Sequence, residues 1–144
     1  MTQGSWRWGI LGAGAAANGM AAALQAVNGG IQAVASRREE TARALAGRYG
    51  IDRVHASPEA MLQDPGLDVI YIASPHDSHH HWMKAAVQAG KHVLCEKAIT
   101  LNARQLAEVV LLARAQGVVV AEAMTIYHMP LYRRLRALVD SGAL

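Results

Sequence analysis

Short apolar runs alternate with longer stretches in which apolar residues recur every three or four positions, the pattern of strands separated by amphipathic helices. Arg7 to Leu11 reads as a first strand that breaks at Gly12-Ala13-Gly14 and gives way to a helix with Met20, Ala23, Leu24 and Val27 on its predicted inner face. Asn28-Gly29-Gly30 stops that helix, and Ile31 to Ala35 predicts a second strand ending in Ser36-Arg37-Arg38. Ala42, Leu45, Ala46 and Tyr49 mark the next helix, closed by Gly50. Arg53 to His55 predicts a short third strand, after which Ser57 caps and Pro58 opens a helical turn ended by Asp64-Pro65-Gly66.

Val69 to Ala73 predicts a buried fourth strand, and Asp77 or Ser78 is placed to cap a helix with Trp82, Ala85, Ala86 and Ala89 inward. Gly90 ends it. His92 to Glu96 is the fifth strand, Asn102 caps a helix presenting Leu106, Val109, Val110 and Ala113, and Gly117 leads into a sixth strand at Val118 to Ala121. Leu131, Leu135 and Leu138 mark one more helix. Helices with the same inward spacing, set between short strands, argue for βαβ units with right-handed crossovers. The expected fold is α/β, a Rossmann-type doubly wound parallel sheet, as one domain over residues 1–144.

Composition narrows the class without changing it. Hydrophobic residues make up 52% and charged residues 17%, which excludes a disordered chain and suits a sheet covered on both faces. The formal charge is +3, but the basic residues are dispersed and there are three tryptophans, four tyrosines and no phenylalanine, so the footprint of a nucleic-acid binder is missing. The single cysteine, Cys95, cannot form an internal disulfide, and a cytoplasmic protein is expected. The alanine-rich stretch after Leu11 lacks a basic region before it and is broken by glycines and Asn18, so it is neither a signal peptide nor a membrane span.

In a doubly wound sheet the ligand lies beyond the carboxyl ends of the strands. After the first strand, Gly12 suits a tight turn, Gly14 admits a phosphate to the backbone, and Ala17, the small third member of the motif, lets helix and strand pack closely. The amides of Ala15, Ala16 and Ala17 would then face a pyrophosphate. After the second strand, an acid about 20 residues past the glycines would hold the ribose of NAD. Ser36, Arg37 and Arg38 stand there instead, a hydroxyl and guanidinium donors suited to a 2′-phosphate, so NADP(H) is preferred and NAD(H) is the alternative. Solvated charges at a helix start are the plainer reading of the arginine pair.

Ser74 to His79 follows the fourth strand, Glu96 and Lys97 the fifth, and Glu122 to His128 the sixth. Lys97 at the cleft mouth is either an exposed lysine or the group that orients a substrate hydroxyl and relays its proton. His76, Asp77, His79, His80 and His81 crowd imidazoles beside a carboxylate, but adjacent helical residues diverge, and no metal is expected. Cys95 reads as a buried, inert thiol.

Together, Gly12-Ala13-Gly14, Ser74-Pro75-His76 with His79, and above all Ala89-Gly90-Lys91-His92-Val93-Leu94-Cys95-Glu96-Lys97 resemble the amino-terminal half of the Gfo/Idh/MocA oxidoreductase family. Arg7-Trp8-Gly9-Ile10, Val34-Ala35-Ser36-Arg37 and Glu122-Ala123-Met124 are most similar to its dihydrodiol dehydrogenase-like members. The resemblance implies an NAD(P)-dependent oxidoreductase acting on a sugar, cyclitol or vicinal diol. It singles out Lys97 as catalytic, with Glu96 beside it and Pro75, His76 and His79 lining the nicotinamide side.

The family's Glu-Lys-Pro reads Glu96-Lys97-Ala98 here, so the following peptide bond is expected to be trans, a non-proline cis bond costing about 2.5–4 kcal/mol. The resemblance also implies a second, α+β substrate domain absent from this chain, and a homo-oligomer in a full-length form. A stand-alone NADP(H)-binding sensor or subunit without catalysis is the rival expectation. A Rossmann domain for another adenine nucleotide is a third.

Overall fold

Six parallel strands form one sheet in the order β3-β2-β1-β4-β5-β6, in a computed structural model that describes residues 6–143. The strands are β1 (Arg7–Leu11), β2 (Gly30–Ala35), β3 (Arg53–Val54), β4 (Val69–Ile72), β5 (His92–Cys95) and β6 (Val120–Glu122). The helices are α1 (Ala15–Ala26), α2 (Glu39–Tyr49), α3 (Pro58–Leu62), α4 (His79–Gln88), α5 (Ala103–Gln116) and α6 (Pro130–Asp140). Residues 1–5 and 144 of the expected domain lie outside the described ones.

The sheet is buried on both faces, and the period-two alternation of the strands sorts its side chains between them. Leu11, Ala33, Ala35, Ile70, Ile72, Val93 and Cys95 face one cluster, closed by Met61 and Leu62 of α3, Met83, Ala86 and Val87 of α4, and Val109 and Ala113 of α5. Ile10, Val34 and Tyr71 face the other, closed by Ala17 and Ala21 of α1 and Ala42, Leu45 and Ala46 of α2. Each large side chain sealed in these layers, such as Ile10, Ile70 or Ile72, contributes about 1.5–3 kcal/mol of burial.

The strand order reverses between β1 and β4, which makes their carboxyl ends the crevice of the fold. Three expectations about the helices are corrected. The inner face of α1 is Ala17, Ala21 and Leu24, while Ala23 and Val27 are exposed. Small residues win because the helix lies close to β1 and β2, where a larger stripe would hold it away. In α4 the fully buried positions are His79, Met83, Ala86 and Val87, with Trp82, Ala85 and Ala89 at the margin.

The expected cap of α4 is also absent. His76–Ser78 forms a 3-10 turn that runs straight into α4, and the Ser78 hydroxyl donates to the Pro75 carbonyl at 2.7 Å. That hydroxyl is spent on closing the turn. By contrast Ser57 and Asn102 cap α3 and α5 as expected, accepting from the amides of Ala60 and Gln105. The sixth strand is shifted to Val120–Glu122, where it meets Val93 to Cys95. Leu131, Leu135 and Leu138 do lie on a helix, α6, but none is buried. Among the described residues no helix is long and apolar enough to cross a membrane.

Candidate cofactor and active site

The turn after β1 is stitched between its neighbours. The Gly12 amide donates to the Ala35 carbonyl at the end of β2, and the Ala73 amide donates to the Leu11 carbonyl, both at 2.8 Å. Gly12 has φ of 113°, and a Cβ there would lie 2.5 Å from the Ala73 oxygen, so only glycine fits. Gly14, extended, is the N-cap of α1. No side chain caps the helix, its first turn carries no acid, and a Cβ at Gly14 would meet nothing within 4 Å. The first amides, at Ala15, Ala16 and Ala17, have no intrahelical acceptor and lie behind open space, a cradle that fits a pyrophosphate. Ala17 is sealed against the core.

At the end of β2 the hydroxyls of Ser36 and Thr41 are 3.1 Å apart, and Thr41 donates its proton to the Arg38 carbonyl at 2.7 Å. Ser36 therefore supplies the proton between the two hydroxyls, and its own donor is turned inward. Arg37 and Arg38 are exposed, and among the described residues no ion pair involves either. The nearby carboxylate of Glu39 is held by Arg43. Both guanidinium groups therefore stand at this edge with no carboxylate partner among the described residues.

The ends of β4 and β5 are tied together through the chain around Lys97. His76 Nε2 donates to the Lys97 carbonyl at 2.6 Å. His79, fully buried, places Nδ1 2.9 Å from the Ala98 carbonyl and Nε2 2.9 Å from the Ser74 carbonyl. Glu96 accepts the Tyr71 hydroxyl through Oε1 and the Lys97 amide through Oε2. Glu122, at the end of β6, accepts the Ile99 amide at 2.9 Å. Lys97 thus has a backbone fastened from both sides and an exposed side chain.

The Lys97–Ala98 peptide bond is cis, which corrects the expected trans bond. The carbonyl of that peptide bonds to His76, and the next one, of Ala98, lies 2.9 Å from Nδ1 of His79, contacts that the residue type at position 98 does not reveal. Ser74, whose hydroxyl lies 2.8 Å from that of Ser78, and exposed Pro75 border the same edge. The other histidines diverge: His80 meets Glu108, and His81 packs edge-on against Trp82.

Strand adjacency therefore lines up Ser36–Arg38, Gly12–Ala17, Ser74–His76 and Glu96–Lys97 along one edge of the sheet, in the order β2-β1-β4-β5. His79 is the exception, its ring sealed beneath that edge. A groove of about 430 Å³ opens beside it, bounded by Met20 of α1, floored by Tyr71 and Leu94, and rimmed by Glu96, Glu122 and His128. Sequence reasoning missed Tyr71 as a groove residue, while Glu122 and His128 lie in the segment it marked after the sixth strand without giving either a role. Tyr71 carried a signal, a phenol within an otherwise aliphatic strand, and Glu122 another, a carboxylate at a strand's carboxyl end.

Burial, reinforced by Glu96, pushes the Tyr71 phenol far above its ordinary range, so it stays a neutral donor. Burial likewise pushes the Cys95 thiol up to about 12, helped by the charges of Glu96 and Glu122. Cys95 is inert in this fold.

Comparison with known proteins agrees with this geometry. The oxidoreductase family GFO_IDH_MocA, described by its NAD-binding Rossmann fold, matches residues 6–124. Trans-1,2-dihydrobenzene-1,2-diol dehydrogenase of Xenopus tropicalis is 35% identical over 96% of this chain and 43% of its own length. D-xylose 1-dehydrogenase (NADP(+)) 2 of Haloferax volcanii is 40% identical over 93% of this chain and 42% of its own. A 3-ketoreductase from Actinomadura kijaniata, solved with NADP and TDP-benzene, superimposes with a TM-score of 0.91 at 31% identity, over 98% of this chain and 44% of that one. The chain thus spans less than half the length of these relatives. By its match, its sheet and its glycine turn, the chain belongs to the Gfo/Idh/MocA oxidoreductase family.

Proposed function

We propose that this chain is the NADP(H)-binding unit of a cytoplasmic oxidoreductase that exchanges hydride with a sugar, cyclitol or vicinal diol. The observation that carries the reading is the single edge on which the glycine turn, the arginine pair and Lys97 stand side by side. Open amides at Ala15 to Ala17 bind the pyrophosphate, and Arg37 and Arg38 bind the 2′-phosphate. A Haloferax relative named for NADP(+) and an Actinomadura neighbour solved with NADP support that choice over NAD.

The bound nicotinamide supplies or takes up the hydride. Lys97, held by its backbone with a free side chain, orients the substrate hydroxyl and carries its proton as the carbon changes oxidation state. Ser74, Pro75, His76 and Glu96 line the nicotinamide side.

Calorimetric titration with NADPH and then NADH tests the cofactor. NADPH is expected to bind at least about tenfold more tightly, and Arg37→Ala with Arg38→Ala to remove the difference, since both charge-assisted contacts are lost. Equal or tighter NADH binding overturns the choice. For Lys97, turnover by a form extended to the relatives' length is expected to fall by about 100-fold or more in Lys97→Met while NADPH affinity holds. Normal turnover in that variant would rule out the catalytic role.

A further inference from the structure

We infer that His79 is a positioning residue that works through Lys97 and does not touch the cofactor. This rests on the proposed role of Lys97. Its ring is fully buried, and each of its nitrogens lies 2.9 Å from a backbone carbonyl, Ala98 on one side and Ser74 on the other. Those carbonyls belong to the two segments that border the nicotinamide side, one after β4 and one after β5. These are separate loops at the ends of adjacent strands, and neither β-ladder reaches them: the β4–β5 register ends at Ile72 and Cys95.

Beyond that register the Glu96 amide makes one last bond, to the Ile72 carbonyl. His76 adds a bond to the Lys97 carbonyl and packs edge-on against His79 with ring centres 5.3 Å apart. Exposed, it can be displaced by solvent, whereas His79 cannot. Because a carbonyl only accepts, the ring bonds both segments when both nitrogens carry a proton, and in that form His79 is the buried tie that makes the Ser74 loop and the Lys97–Ala98 segment move as one piece. It sets the direction in which the Lys97 side chain leaves the sheet edge. As the first residue of α4, it anchors that tie to a helix packed on the core.

Two substitutions separate this role from space filling. Asparagine places its amide nitrogen near the Nδ1 position and can keep the bond to Ala98, whereas glutamine reaches the Nε2 position and keeps only the bond to Ser74. Glutamine is nearer to histidine in volume, so a residue that merely packs would tolerate glutamine better.

Amide hydrogen exchange is measured by NMR in the 144-residue chain without ligand. His79→Gln is expected to speed exchange at Lys97 and Ile99 by about tenfold and His79→Asn by less than about threefold, with the amides of α4 unchanged in both. Equal protection in the two variants, or better protection in His79→Gln, overturns the proposal. A readout on the unmodified chain holds even if both variants unfold. The 15N shifts of both His79 ring nitrogens are expected to be those of protonated nitrogens, and an unprotonated nitrogen on either side overturns the tie between the two segments.

Binding separates this inference from the cofactor reading. His79→Gln is expected to weaken NADPH by about tenfold and to leave 2′,5′-ADP, which lacks the nicotinamide, unchanged. Equal losses for both ligands overturn a role confined to the nicotinamide side. If the unmodified chain binds neither ligand, the cofactor reading fails, while exchange and the 15N shift still decide the role of His79.

Discussion

Tyr71 and Glu96 meet at the floor of the groove, the phenol donating to Oε1 at 2.5 Å while Oε2 accepts the Lys97 amide. One carboxylate thereby joins the sheet's interior to the segment that carries the lysine. The phenol keeps its proton because it is buried beside that carboxylate.

Removing the hydroxyl tests how much this joint contributes. Tyr71→Phe is expected to lower stability by about 0.5–1.5 kcal/mol in urea denaturation, the net worth of one hydrogen bond. Unchanged stability would mean that Glu96 gains as much from water as from the phenol.

The two glycines of the turn separate folding from binding. Gly12→Ala forces a Cβ onto the Ala73 carbonyl at positive φ and is expected to destabilise the chain by more than about 1 kcal/mol. Gly14→Ala meets no protein atom. Its melting temperature is expected to stay within a few degrees of the parent, while NADPH affinity falls by about tenfold or more, because the methyl occupies the space through which phosphate reaches the amides. A Gly14→Ala protein that binds normally would move the pyrophosphate elsewhere.

Cys95 offers a check on the core. Buried, with its thiol pushed up to about 12, it is expected to resist iodoacetamide in the folded chain near neutral pH and to react fully in urea. Mass spectrometry of the alkylated protein reads this directly. Rapid labelling without denaturant would show that β5 opens.

Arg7 and Asp68 give the chain an acid-sensitive fastening at the opposite end of β1. The Arg7 amide and guanidinium both donate to Asp68, whose carboxyl is held down to about 2, the guanidinium bond outweighing the cost of burial. A depressed carboxyl stabilises the fold fully above its unfolded value of about 4 and loses that contribution as pH falls through about 2. Asp68→Asn is therefore expected to be less stable than the parent near neutral pH and to approach it at about pH 2, as read by urea midpoints. A gap independent of pH would place the effect in packing.

Much of the scaffold was legible because it follows from local chemistry. The order of elements came from periodicity, with caps at Ser57 and Asn102 and helix ends at Gly50 and Gly117. Boundaries slipped where long-range pairing decides them. β6 starts at Val120 because its partners are Val93 to Cys95, which no local window contains. The inner face of α1 was misread because bulk marks a helix's apolar side, whereas close packing on a sheet selects the small side chains of Ala17 and Ala21.

Residue type over short stretches carried the alternating α/β order, the glycine turn, the arginine pair in place of an acid, and the Glu96-Lys97 motif at a strand end. It took the packed fold to turn the Ser36 proton inward, to bring Tyr71 to the groove, to make Lys97–Ala98 cis, and to set His79 beneath the site with both ring nitrogens on carbonyls. The reason is physical. Tyr71 meets Glu96, and His79 meets Ala98, across separations of 25 and 19 residues, while the contacts of Ser36 and Ser74 turn on side-chain orientation that residue type alone leaves open.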